Sequence, residues 1–254
     1  DPSLPDIPKN RRGLSLEELY SNLFVINFAG HDTTANTIAF AIFSLAANPA
    51  VQEWVSEEIE AVVGDLEPEE WKYDDLFPKL NRCRAVFWES LRLFPPVMGI
   101  PKWTANKPQQ LSVQGQVLNL PAETRTYIYP MALHTMPQYW EDPLAWKPSR
   151  WVVVSAEGGL ANETFFEPRP GTFLPWSAGA QNCPGKKFAD VEAAALVLRL
   201  LHRHHIKVKL EPGESEESGF ARAKACMDDV DCSLVLRMVD PLNTKLIYEP
   251  HGRN

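Results

Sequence analysis

The segment that decides the fold is FLPWSAGAQNCPG, residues 173–185, a loop that leads into an apolar stretch with helical character. Its single cysteine, Cys183, lies just before the predicted helix. Backbone N–H groups and the positive end of a helix dipole favour the thiolate, which is the form that ligates metals. Gly179 and Gly185 permit turns and the close approach of a flat cofactor. The alternative is a buried cysteine that packs as a small apolar side chain.

Working outward from this loop, start and stop signals mark the other helices. Ser15 and Glu18 form a capping box, and Pro95 and Pro96 end a helix that carries several aromatic residues. In the longest helix, apolar residues occur on nearly every face, which predicts a core helix that crosses the domain. The predicted helices cover residues 16–47, 49–64, 80–94 and 185–204.

Short runs of alternating residues separated by Gly115 and Pro121 predict a small antiparallel sheet. The fold class is therefore mainly α with a small antiparallel sheet (α+β), with helices and strands segregated. The polar, proline-rich residues 1–12 are expected to be a linker, and residues 142–175 a long irregular region. The predicted strands cover residues 111–113, 116–120, 126–129, 206–210 and 233–238.

Composition excludes some classes of function. A net charge of -8 and a pI near 5.3 argue against nucleic-acid binding, which needs clustered Lys and Arg. The four cysteines form no C-x-x-C pair and no dense disulfide framework, which favours a reducing environment. No apolar run approaches the length of a membrane span, so the chain is expected to be soluble or to lie on a surface.

Two polar groups interrupt the apolar helices. Glu89 and Arg92, three residues apart on the third helix, project from one face, and the apolar residues around them indicate a buried pair. In the long helix, Gly30 and Asp32 precede Thr33, which is expected to bond back to a carbonyl one turn earlier. A buried Asp32 would cost several kcal/mol unless it is paired, so its presence suggests a function.

Taken together, these motifs resemble those of the cytochrome P450 family, in their order and spacing. Residues 173–185 resemble its heme-thiolate loop, F-x-x-G-x-R-x-C-x-G, with Gly179, Cys183 and Gly185 at matching positions. Trp176 stands at the aromatic position of the motif, and Gln181 stands in place of its arginine. The resemblance implies that Cys183 ligates the heme iron. Because an amide cannot neutralise a carboxylate, Gln181 leaves a heme propionate without one charged partner.

The resemblance also assigns roles to the other polar residues. Glu89 and Arg92 match the family's E-x-x-R motif, which with Arg150 of the segment 148–151 would form a structural Arg-Glu-Arg triad. Residues 29–34 match the oxygen-binding motif, so that Asp32 and Thr33 would deliver protons during oxygen activation, with Gly30 beside the cofactor. Lys102 occupies a position where the family often has a propionate-binding cation.

Histidines and aromatic residues elsewhere have simpler interpretations. His31, at the variable position of the oxygen motif, is expected to turn towards a neighbouring helix. His202, His204 and His205 are expected to form a solvated helix end. The aromatic residues between Leu133 and Trp146 are expected to be core residues.

By this resemblance, residues 13–254 are the C-terminal, heme-binding part of a single P450 domain of a fungal-like microsomal type. The implied function is a monooxygenase that uses heme b (iron protoporphyrin IX), dioxygen and electrons from NADPH-cytochrome P450 reductase on an apolar small-molecule substrate. The implied location is the cytosolic face of the endoplasmic reticulum membrane, through an anchor outside this sequence. One alternative is a truncated, non-catalytic heme-binding remnant. Another is a heme-thiolate enzyme that rearranges peroxides, which the intact Asp32–Thr33 pair disfavours.

Overall fold

The computed structural model describes residues 13–250, and the predicted linker at residues 1–12 lies outside the described residues. Helices make up most of the regular structure, and single turns of 3-10 helix occur between them. The α-helices are α1 (Leu16–Ala46), α2 (Pro49–Val63), α3 (Tyr73–Leu76), α4 (Asn81–Leu93), α5 (Pro130–His134), α6 (Lys186–Leu201) and α7 (Glu216–Asp228).

The longest helix, α1, begins at the predicted capping box: Ser15 Oγ accepts the Glu18 N–H, and Glu18 accepts the Ser15 N–H. Its burial differs from the prediction. Residues 16–32 are exposed, and fully buried positions begin at Thr37. The prediction of a core helix holds only for the second half of α1, because the other described elements pack only there. No single helix in residues 13–250 is long and apolar enough to cross a membrane; α1 and α2 meet that test only as a pair bent by 106°.

Helix α4 carries the residues on which the site depends, and a neighbouring helix caps it. Its N-terminus has no capping side chain of its own. Instead, the buried Glu58 of α2 accepts the N–H groups of Arg82 at 2.7 Å and Cys83 at 3.0 Å. Burial raises the pKa of Glu58 to about 7. This carboxylate satisfies free donors of the first turn and fixes where α4 begins.

The strands form two-stranded antiparallel sheets, which confirms the predicted class, mainly α with small antiparallel sheets. The predicted single sheet around Gly115 is wrong in detail. Strands β2 and β3 pair only with each other, and β4 pairs with the unpredicted β1. The pairs are β1 (Ile100–Trp103) with β4 (Arg125–Ile128), β2 (Gln109–Val113) with β3 (Gln116–Leu120), β5 (Val152–Val154) with β6 (Glu163–Phe165), β7 (His204–Val208) with β10 (Leu246–Pro250), and β8 (Val230–Asp231) with β9 (Arg237–Met238).

The C-terminal region corrects one prediction and contains one helix that was not predicted. Helix α6 ends at Leu201, so the histidines after it are not a solvated helix end: His202 is buried, and His204 stacks on Tyr248 at 4.1 Å in the β7–β10 sheet. Helix α7 was not predicted because its sequence is polar. It buries a stripe formed by Gly219, Ala223 and Met227, and a Cβ atom on Gly219 would lie 2.6 Å from a Leu210 methyl group.

Two apolar clusters pack against opposite sides of α4. One joins it to the second half of α1, α2, α6, α7 and the C-terminal strands. The other is rich in tryptophan and joins α4 to the irregular region and to the loop before α6, through Trp88, Trp140 and Trp151. Helix α4 therefore connects the larger apolar cluster to the loop of residues 173–185, called the cysteine loop below.

Candidate functional site

The loop before α6 leaves Cys183 exposed while fixing its backbone. The Cys183 N–H donates to the carbonyl of Trp176 at 2.9 Å. Positive φ angles of 63° at Ser177 and 89° at Gly179 turn the chain between these two residues. A Cβ atom on Gly185 would lie 3.7 Å from Cys183 Sγ, so a large side chain there would crowd the sulfur. The loop presents a positioned sulfur that is open to a ligand.

The four cysteines differ in their surroundings. Cys83 is fully buried in α4, and burial raises the pKa of its thiol well above the usual value. Cys226 is half-buried on α7, where burial also raises its pKa. Cys232 is exposed in the irregular segment between β8 and β9, which leads into a strand rather than an α-helix. The packing alternative therefore describes Cys83, whereas Cys183 alone combines exposure with a loop that leads into a helix.

The two residues that were expected to face a propionate group of the cofactor are both exposed. Gln181 lies in the cysteine loop, and Lys102 lies on β1 opposite Thr126 of β4. In the part of the chain that the structure describes, Lys102 makes no ion pair with a carboxylate. Of the two, only Lys102 carries a charge that could neutralise a propionate.

The oxygen-motif residues lie where α1 passes from exposed to buried. Thr33 Oγ1 donates to the Ala29 carbonyl at 2.8 Å, as expected, and α1 continues without interruption. Two expectations are wrong. The Asp32 side chain is 52% exposed, not buried, and pairs with His31 Nδ1 at 2.9 Å. His31 is 83% exposed and does not turn towards a neighbouring helix, because this part of α1 has no described element against it. No Cβ contact restricts Gly30.

A buried network of charged side chains joins α4 to the irregular region. Glu89 and Arg92 are fully buried, and Arg92 donates to both Glu89 oxygens at 2.9 Å. Arg150 Nε and Trp151 Nε1 donate to the same carboxylate at 3.0 and 2.9 Å. The remaining N–H groups of Arg92 reach carbonyls of residues 134, 143 and 145. The structure thus brings together the three residues of the predicted triad and ties the irregular region to α4.

The sequence did not single out His134 as a residue of the site. It is fully buried at the end of α5, and its Nε2 accepts the N–H of Leu174 at 2.8 Å, which links α5 to the cysteine loop. Burial lowers the pKa of His134 to about 4, so the neutral ring that this bond needs is the stable form. No sequence signal indicated this hydrogen bond, because its two partners lie 40 residues apart.

Asp190 is a second residue of this region that sequence reasoning missed. It is 5% exposed on α6, seven residues after Cys183, and accepts hydrogen bonds from Arg84 and Trp88 of α4. The one signal was an isolated acid in the apolar part of the helix, since a buried carboxylate needs a partner.

A single exposed thiol suits a metal that arrives with its other ligands. Among residues 13–250, no three His, Cys, Asp or Glu side chains lie close enough together to hold a bare metal ion. Heme provides the equatorial ligands of its iron and takes an axial ligand such as a cysteine thiolate from the protein. Cys183, in a loop with glycines on either side, fits that requirement.

Comparison with known proteins gives consistent matches. The cytochrome P450 family model matches residues 6–225. A cytochrome P450 monooxygenase of Arthrobotrys oligospora is 30% identical over 94% of this chain and 43% of its own length. Cytochrome P450 monooxygenase 124 of Postia placenta is 35% identical over 93% of this chain and 43% of its own length. Cytochrome P450 4F8 of Homo sapiens is 32% identical over 82% of this chain and 38% of its own length.

The chain spans about two-fifths of the length of the curated relatives that it matches. Within that span, the family model covers most of the sequence, including the cysteine loop, α4 and the oxygen motif. The fold is mainly helical with small antiparallel sheets, as the resemblance implies. This chain belongs to the cytochrome P450 family.

Proposed function

We propose that this chain is the C-terminal, heme-binding part of a heme-thiolate monooxygenase, with Cys183 as the axial ligand of heme b. The observation that carries the proposal is the loop itself. Cys183 is exposed, its N–H is fixed by the Trp176 carbonyl, and α6 begins three residues later. Residues 13–254 form this part of a single P450 domain, and residues 1–12 are a linker.

The glycines and polar residues near the cysteine would hold the cofactor. Gly179 and Gly185 in the loop and Gly30 on α1 would let a flat cofactor approach the backbone, and Trp176 would offer it an aromatic contact. Lys102 would neutralise a propionate, and Gln181 would hydrogen-bond to one without neutralising it. The triad of Glu89, Arg92 and Arg150 keeps the irregular region in register with α4. Its role is structural.

When bound, heme b supplies the activation of dioxygen, and electron density from a thiolate ligand favours O–O cleavage. The chain's own residues handle protons. Thr33 Oγ1 donates its proton to the Ala29 carbonyl, which leaves the oxygen lone pairs free to accept a hydrogen bond. The Asp32 carboxylate is open to water and next to His31, so solvent protons can reach it. In the relay, Thr33 would accept a proton from the Asp32 side and release its own hydroxyl proton, now directed at the Ala29 carbonyl, towards dioxygen.

The partners follow from family membership and from the surface of α1. Exposed apolar side chains along its first half, including Leu23, Phe24 and Phe28, support an apolar small-molecule substrate and a pocket completed by further protein. Electrons come from NADPH-cytochrome P450 reductase. The location is the cytosolic face of the endoplasmic reticulum membrane, through an anchor outside this sequence.

The test is carbon-monoxide difference spectroscopy on the reduced, heme-loaded full-length protein, with each of the four cysteines changed singly to serine. Only Cys183→Ser should abolish the strongly red-shifted Soret band of thiolate ligation. Cys232→Ser is the matched control, because Cys232 is equally a free and exposed thiol. A band that persists in Cys183→Ser contradicts the proposal. A wild-type band without oxygenated product in any substrate screen favours the non-catalytic alternative.

A further inference from the structure

The tryptophan whose carbonyl holds the Cys183 N–H is itself held by its ring. The Trp176 ring meets the ring of Trp88 on α4 edge to face, with centroids 5.1 Å apart at 64°. The Lys186 ammonium lies over both rings, 5.3 Å from Trp176 and 5.6 Å from Trp88. Such contacts between a cation and aromatic faces favour one arrangement of the rings. Trp88 and Lys186 thus hold the Trp176 ring between them.

Trp88 is oriented by Asp190 of α6. Its Nε1 donates to Asp190 Oδ1 at 2.8 Å, and both residues are buried, at 7% and 5% exposure. Arg84, one turn before Trp88 on α4, donates to Asp190 Oδ2 from Nη2 at 2.9 Å and from Nε at 3.2 Å. The carboxylate needs this charged partner because a buried, uncompensated charge is costly. In return, Asp190 fixes the rotation of the Trp88 indole.

We propose that Asp190 is a positioning residue for the axial thiolate, acting through Trp88 and Trp176 on the backbone of Cys183. This inference rests on the proposed function. The connection is continuous: the Asp190 carboxylate holds the Trp88 N–H, the Trp88 ring supports the Trp176 ring, and the Trp176 carbonyl holds the Cys183 N–H at 2.9 Å. Asp190 does not touch the cofactor in this scheme.

The consequence of losing Asp190 follows from the same contacts. Without the carboxylate, the Trp88 indole N–H is buried and unpaired, and Arg84 loses its charged partner. Only packing against Trp151, Phe165 and Phe173 then sets the orientation of the Trp88 ring, and its contact with the Trp176 ring loosens. The Cys183 N–H loses a fixed acceptor, so the loop can relax to conformations in which the sulfur no longer ligates the iron as a thiolate.

The experiment uses heme-loaded full-length protein and follows the red-shifted Soret band of the reduced carbon-monoxide complex during incubation at low denaturant concentration. Asp190→Ala should lose the band about tenfold faster than wild type, which at about 1.4 kcal/mol per factor of ten equals one hydrogen bond to a charged group. Trp88→Phe keeps a ring but removes the N–H donor and should also accelerate the loss. The double variant should be no faster than Asp190→Ala alone, because both changes break the same connection.

The matched control is Glu163→Ala. Glu163 pairs with Arg82 of α4 at 2.6 Å, and its side chain is as buried as that of Asp190, but the side-chain hydrogen bonds that reach it come from Arg82 and Asn81 and not from either tryptophan. Glu163→Ala should lower the free energy of global unfolding. Its Soret band should disappear no faster than the protein unfolds. A purely structural role for Asp190 predicts the same behaviour for both carboxylates.

The outcomes separate the two proposals. If the wild type never shows the thiolate band, the proposed function fails. If the wild type shows it and the Asp190→Ala and Trp88→Phe variants keep it as long as Glu163→Ala does, the positioning role alone is overturned. Should Asp190→Ala not accumulate, Trp88→Phe and Asp190→Asn decide, since the amide oxygen of asparagine can still accept the Trp88 N–H. Asp190→Asn should then retain the band longer than Trp88→Phe.

Discussion

Replacing Glu89 with glutamine keeps the size of the side chain but removes its charge, and we expect the change to destabilise the protein severely. The Glu89 carboxylate is fully buried. It accepts hydrogen bonds from Arg92 Nε and Nη2, Arg150 Nε, Trp151 Nε1 and the Lys147 N–H, all between 2.8 and 3.0 Å. A glutamine offers one acceptor oxygen and points its NH₂ group at other donors.

The magnitude follows from what remains after the change. Arg92 is fully buried, and Glu89 is the carboxylate that pairs with it. Breaking a buried ion pair by removing one partner costs about 3–5 kcal/mol, a large part of the roughly 5–15 kcal/mol that stabilises a folded domain. Arg150→Ala should cost less, because Glu89 keeps both bonds from Arg92 and Arg150 otherwise reaches carbonyls near the surface.

The assay is urea unfolding of the full-length protein, together with the fraction of purified protein that carries heme. Glu249→Gln is the control, because it removes the charge of an exposed ion pair with Lys207. Glu89→Gln should lower both the unfolding midpoint and heme loading, with Arg150→Ala between it and the control. Equal midpoints for Glu89→Gln and Glu249→Gln would refute the view that the buried network holds the irregular region against α4.

Two further predictions concern protons. Thr33→Ala should keep heme and substrate binding but divert reducing equivalents to peroxide, because it disturbs proton delivery. The measurement is the amount of product formed per NADPH consumed. An unchanged ratio would remove Thr33 from the mechanism. Acidification from pH 6.5 towards pH 4 should cost about 3 kcal/mol of unfolding free energy through His134, because burial lowers its pKa to about 4 and the unfolded state binds the proton first. His134→Gln should flatten this part of the pH profile of stability; an unchanged slope would show that His134 does not titrate in this range.

Local sequence signals predicted the helices that have strong ends. The capping box at Ser15 starts α1, and Pro95 and Pro96 confine α4, because these residues act within one turn of the chain. The same reasoning missed α7 and strand β1. Helix α7 depends on Gly219 fitting closely against Leu210, and β1 depends on a partner strand more than twenty residues away. Neither contact is visible in a local pattern.

Burial was the property that sequence reasoning judged least well. Asp32 was expected to be buried because apolar residues surround it in sequence, yet half of its side chain is exposed. His202 was expected to be solvated at a helix end, yet it is buried beside Trp71, 5.1 Å away. Hydrophobic pattern reports what a helix could bury, whereas exposure depends on which elements pack against it.

By itself, the sequence determined the chemistry of this protein: a cysteine at a loop-to-helix junction, an acid and an alcohol in the middle of a long helix, and Glu89 and Arg92 one turn apart. These are combinations of neighbouring residues, so the primary structure contains them. Only the tertiary structure decided which distant groups complete them. Arg150 reaches Glu89 across 61 positions and Asp190 reaches Trp88 across 102. Packing α4 against α6 and the irregular region excludes water from these groups, and a buried carboxylate is stable there only when charged or N–H donors reach it.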